Sequence, residues 1–140
     1  MNNQEFYNKS IEGLAAQGFQ QSSEIGGECL YRGPNGLKCA IGVVVTDEQI
    51  SQAAEIAAQQ DPSRAQTALE TREGFTSSAF EPLFPDVSPM LMSTLQSAHD
   101  IYSVPLKRLQ GLKSAGKDFG LEIPKVLQDA IDFEVRLTAE

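Results

Sequence analysis

Glu28-Cys29-Leu30-Tyr31-Arg32-Gly33-Pro34-Asn35-Gly36-Leu37-Lys38-Cys39-Ala40-Ile41 is the stretch on which the fold turns. Pro34 presets φ for the first central residue of a turn, and Gly36 accepts the positive φ of a bulged hairpin loop. A loop of Pro34, Asn35 and Gly36 pairs Gly33 with Leu37, Tyr31 with Cys39 and Cys29 with Ile41. In that register Cys29, Tyr31, Leu37, Cys39 and Ile41 share one face, and Leu30, Arg32, Lys38 and Ala40 share the other. A shorter loop shifts the register by one residue and mixes the faces. The stretch predicts an antiparallel β-hairpin over residues 28–42.

Helical signals surround it. Phe6, Tyr7, Ile11, Leu14 and Ala15 recur at helical spacing behind Asn3 as cap, and Gly18 supplies a left-handed stop. Thr46-Asp47-Glu48-Gln49 reads as a capping box, with Val45 and Ile50 at the staple positions and Ile50, Ala53, Ala54 and Ala57 as a small-residue face. Asp61-Pro62 starts a helix ending near Gly74, anchored by Leu69 alone. Phe75, Phe80, Leu83 and Phe84 suit an ordered loop laid over the core. Ser88-Pro89 opens a helix burying Leu91, Leu95, Ala98 and Tyr102. Val104-Pro105 opens a short one with Leu106, Leu109 and Leu112. Ile123-Pro124 opens the last, with Leu127, Ala130, Ile131 and Val135 inward, joined by Phe133 and Leu137. The expectation is one α+β domain over residues 1–140, mostly helical, with five or six helices around one small hairpin.

The chain has 140 residues, 41% of them hydrophobic, and a formal net charge of −8. That length suits one domain able to bury its own core without a disulfide or metal staple. No apolar run is long enough for a membrane span, no secretory signal opens the sequence, and two cysteines are too few for a secreted disulfide scaffold. The expected compartment is the cytosol. Residues 1–104 carry thirteen acids against five bases, whereas residues 105–140 carry six of each. Direct nucleic-acid binding is disfavoured by that balance. Attraction to a basic protein surface, including one that normally holds nucleic acid, is favoured.

Few residues offer chemistry. Cys29, Cys39, His99 and Asp100 form a poor zinc set: the cysteines are far apart, there is one histidine, and adjacent helical residues diverge by about 100°. Cys39 or Cys29 with His99 makes a conceivable nucleophile–base pair, but the hairpin register turns both sulfurs inward, where cysteine behaves as a small hydrophobe. His99, at the edge of a buried face, suits a bond to a backbone carbonyl. Asp47 and Glu48 fit the first turn of a helix, and no glycine-rich phosphate cradle is present. Arg32 and Lys38 oppose each other on the outer hairpin face, which calls for a compensating acid such as Glu28 or an anionic ligand. No cofactor and no metal are expected.

The stretch from Cys29 to Gly42, followed by Leu95-Gln96-Ser97-Ala98-His99-Asp100, resembles a group of small uncharacterised bacteriophage and prophage proteins. The resemblance implies a phage or mobile-element origin, a fold of helices around the hairpin, and a meeting of Tyr31, Cys39, His99 and Asp100 in space; it implies no activity and no catalytic residue. The resulting expectation is a non-enzymatic accessory protein in the host-cell cytosol. It would bind, and inhibit, a host protein such as a CRISPR effector or other defence nuclease through an acidic surface. Glu28, Arg32, Lys38, Asp47 and Glu48 are the candidate contacts. The alternatives are a small cysteine-dependent enzyme using Cys39 or Cys29 with His99, and a homo-oligomeric module joined through the helices at 47–60 and 62–73.

Overall fold

The computed structural model describes residues 1–22, 30–102 and 104–139. Among these residues six α-helices form: α1 (Asn3–Ala16), α2 (Asp47–Gln60), α3 (Ala65–Thr71), α4 (Pro89–Ile101), α5 (Pro105–Asp118) and α6 (Lys125–Ala139). Short 3-10 turns lie at Pro34–Gly36, Pro62–Arg64 and Ser77–Leu83. Among the described residues there is no β-strand. The predicted hairpin over 28–42, and the α+β class with it, is therefore corrected to an all-helical fold.

The reason lies in where the backbone groups of this tract go. The predicted turn forms: Gly33 N–H donates to the Leu37 carbonyl at 2.7 Å and Leu37 N–H to the Pro34 carbonyl at 3.1 Å, with Asn35 at φ 59° and Gly36 at φ 76°. No ladder extends from it, because distant side chains occupy the places of a neighbouring strand. Glu73 accepts the N–H of both Tyr31 (2.8 Å) and Arg32 (3.0 Å). Gln17 accepts from Lys38 N–H at 3.0 Å and donates to the Lys38 carbonyl at 2.5 Å, as a paired strand residue would. Ser10 donates to the Ala40 carbonyl at 2.7 Å, and Gln96 accepts from Ile41 N–H at 3.3 Å. The carbonyls of Cys39 and Ile41 turn back to Val43, Val44 and Val45 N–H, so residues 39–45 coil. A buried backbone group needs some partner, and the partner need not be a strand.

The helix signals fare better. Thr46 and Gln49 make both capping-box bonds, at 3.1 and 2.9 Å, and Val45 and Ile50 are buried on either side. The cap of α1 is Asn2 rather than Asn3, again with a reciprocal box to Glu5. α3 is held by buried Ala68 while Leu69 stands out in solvent. α5 is longer than expected and runs through Gly111 and Gly116, the latter making room for the Tyr7 ring. Tyr102 and Val135 are exposed, not buried.

α5 lies between α4 and α6, α1 packs on α6, and the Tyr7 hydroxyl donates to the Leu112 carbonyl of α5 at 2.8 Å. α2 is covered by α3 and by the Ser77–Leu83 turn, which also leans on α4. The small-residue face of α2, considered for contact with another copy, is consequently filled from within the chain: Ala53, Ala54 and Ala57 are buried.

Candidate functional site

The coiled tract 30–45 sits against α4 and the segment 73–77, and the three enclose a cleft of about 410 Å³. Leu30 and Tyr31 form one wall, Glu73 to Ser77 another, and Ser93, Gln96, Ser97 and Asp100 of α4 the third. The one-turn spacing of Ser93, Gln96, Ser97 and Asp100 puts them on a single face of α4. Behind them the aromatic rings of Tyr31, Phe75 and Phe80 pack with centroids 5.0–5.8 Å apart, and Tyr31 OH donates to the Phe75 carbonyl at 2.6 Å. Burial, with the charges of Glu73 and Asp100 adding, drives the Tyr31 phenol far above its ordinary range.

Cys39 lies beneath this cleft, fully buried. Desolvation pushes its thiol up to about 11, and the nearby Asp100 carboxylate adds to the rise. Contacts from Gly42 N–H (3.3 Å to Sγ), Gln96 and Ile41 offset only part of it. The sulfur is a neutral thiol at ordinary pH, with a thiolate fraction on the order of one in ten thousand at pH 7. It fills space. Cys29 and Glu28 lie outside the described residues.

His99 is also fully buried, and Nε2 faces the Gln20 carbonyl at 3.2 Å. A carbonyl only accepts, so Nε2 carries a proton. Nδ1 faces Asp100 Oδ1 at 3.6 Å, and neither atom has a hydrogen-bond partner. The two side chains approach each other more closely than a divergence of about 100° between neighbouring helical positions suggests. Asp100 keeps 25% of its side-chain surface open, none of it on Oδ1, so its remaining surface belongs to the cleft. Tyr31 and Asp100 line the same cleft, Cys39 lies near enough to feel the Asp100 charge, and His99 adjoins Asp100. Gln21 secures the same corner by donating to the carbonyls of His99, Asp100 and Tyr102 at 2.9–3.1 Å.

Arg32 does not present a free cation. Its guanidinium donates to the carbonyls of Tyr31 (3.1 Å), Gly42 (2.6 Å) and Val45 (2.8 Å), and Nε pairs with Asp47 at 2.8 Å. Asp47 thus serves as a neighbouring acid for Arg32, Glu28 lying outside the described residues, and no hairpin opposes Arg32 to Lys38. The hydrogen bond and charge of Arg32 hold the Asp47 carboxyl below its usual range, with smaller help from Lys38 and Arg72. Glu48 is exposed in the first turn of α2, and Lys38 is half-buried. Gly42 lies so close to Tyr31 that a Cβ would overlap the Tyr31 carbonyl oxygen.

Sequence reasoning missed Glu73, Gln96 and Gln17. Gln96 sits inside the Leu95–Asp100 motif and was within reach; nothing local marks Glu73 or Gln17. Among the described residues no group of three or more His, Cys, Asp or Glu is placed to hold a metal ion, and no helix is long and apolar enough to cross a membrane. No protein family, curated protein or solved structure matches the chain.

Proposed function

We propose that this chain is a non-enzymatic binding protein that takes a basic side chain of a partner protein into the cleft between Tyr31, Glu73 and Asp100. One observation carries the reading: among the described residues the cleft is lined by two carboxylates, four hydroxyl side chains, an amide and two aromatic rings, with no Lys, Arg or His. A pocket walled by one sign of charge concentrates the opposite sign, and aromatic faces add attraction for a guanidinium or ammonium group. The excess of acids in residues 1–104 extends the field in the same direction. A protein whose basic groove normally holds nucleic acid fits that chemistry. A host defence nuclease, a CRISPR effector among them, is the partner class we favour, with the chain competing for the phosphate-binding residues.

The cysteine-enzyme alternative is weakened at Cys39, where a buried neutral thiol is a poor nucleophile. The test uses a fluorescent Arg-Gly repeat peptide, with a Glu-Gly repeat as control, followed by anisotropy at low and high salt. The chain binds the basic peptide and not the acidic one. Asp100→Asn, which removes charge at constant shape, and Ser97→Lys, which puts a cation in the cleft, each weaken binding at least about fivefold. Equal binding by both variants, or none by the parent chain at low salt, overturns the reading.

A further inference from the structure

α6 carries two apolar faces. Leu127 and Ile131 are buried and fix the helix to the body. Val126, Phe133 and Leu137 are 41%, 53% and 51% exposed, and with half-buried Ala130 they form a second stripe. Its spacings of four, three and four residues are those of a coiled-coil seam, over roughly 16 Å of helix. Large exposed apolar side chains aligned on one helix mark an interaction surface. The stripe overlooks a groove of about 290 Å³ whose far wall is Phe19, Pro105, Arg108 and Leu109.

Charge identifies the occupant. Asp129 and Arg136 flank the stripe on the same side, seven residues apart. If a second α6 lies antiparallel, with Ala130 against the second copy's Phe133 and Val126 against its Leu137, each Asp129 faces an Arg136 across the seam, twice by symmetry. Among the described residues Arg136 makes no ion pair, and Asp129 is held only by exposed Lys125 at 2.7 Å. Two copies of a chain at −8 repel overall, but residues 105–140 hold six acids and six bases, so this is the part of the molecule that a like-charged copy can approach.

We propose that the chain self-associates as a two-fold dimer through the outer face of α6, paired antiparallel with α6 of a second copy. One short helix pair buries less than the ~1,200 Å² of a stable interface, so the dimer is weak and concentration-dependent. No residue of the acidic cleft lies on α6.

Sedimentation velocity from about 10 µM to about 1 mM tests it on the intact chain, with far-UV circular dichroism as the folding control. The sedimentation coefficient rises with concentration. Phe133→Glu abolishes the rise while leaving the helix signal unchanged. Asp129→Arg and Arg136→Asp each weaken association at least about threefold by setting like charges across the seam, and the double variant restores it. A monomer throughout, an assembly that survives Phe133→Glu, or a double variant no better than either single one overturns the proposal.

Discussion

Replacing Arg32 by alanine removes the donor for three backbone carbonyls, those of Tyr31, Gly42 and Val45, which hold the coil 30–45 to the start of α2. A hydrogen bond from a charged donor contributes about 1.5–3 kcal/mol, so three give a gross loss of roughly 4–9 kcal/mol. Water recovers part of this, because the side chain is 27% exposed. The net cost is expected near 3 kcal/mol, or a fall in Tm of about 10 °C. Lysine has its donors at one point and reaches one carbonyl, so Arg32→Lys regains about a third of the loss. Asp47→Ala removes only the exposed ion pair and shifts the transition by less than about a third of the Arg32→Ala shift. Urea unfolding, with midpoint and slope compared, is the assay. If Asp47→Ala costs as much as Arg32→Ala, or if moderate salt abolishes the difference, the guanidinium works through its surface charge and the clasp is refuted.

Other expectations concern the residues beneath the cleft. In a Cys29→Ser background, Cys39 remains unalkylated by iodoacetamide at pH 8 until denaturant is added; rapid native labelling refutes its burial. Its folded pKa, raised from 9.0 to about 11, makes the folded state keep a proton that the unfolded state loses. That contribution is complete below pH 9 and disappears as pH rises to 11, a loss of about 3 kcal/mol that Cys39→Ala removes when the two stability–pH curves are subtracted. Asp100→Asn removes the carboxylate that faces His99 Nδ1 at 3.6 Å without a hydrogen bond, so thermal melts show little change in stability; a clear loss shows that this contact helps hold the fold. Gly42→Ala drives a methyl into the Tyr31 carbonyl and costs about 3 kcal/mol by urea titration, whereas a neutral result removes the close approach.

Much of the helical frame is legible in the sequence because its signals are local. The Thr46–Gln49 box, the Ser88-Pro89 and Val104-Pro105 starts and the buried stripes of α1 and α4 lie within a few residues of what they specify. The turn at Gly33–Leu37 is legible for the same reason, down to its closing bond. What followed the turn was not. A hairpin and a coil share the same turn residues and nearly the same inward set of Tyr31, Cys39 and Ile41. They differ in whether backbone partners come from a facing strand or from Gln17, Glu73 and Gln96. Those side chains are remote in sequence, and no alternation of apolar residues records them. The inward cysteine and the carbonyl-bound histidine were legible from burial alone. The acidic cleft, built by three segments, was not.

The borrowed partners of tract 30–45 also set when it can form. A true hairpin closes by itself in microseconds. This coil finds Ser10 on α1, Gln17 at its C-terminal cap, Glu73 beyond α3 and Gln96 on α4. An excised peptide of the tract keeps its turn bonds but none of these partners, so it is expected to be largely unstructured, and in the intact chain the tract is expected to order after those elements dock. Substitutions in it are therefore expected to speed unfolding and leave the folding rate nearly untouched, and the amide protons of Tyr31 and Lys38 to exchange when Glu73 and Gln17 let go of them.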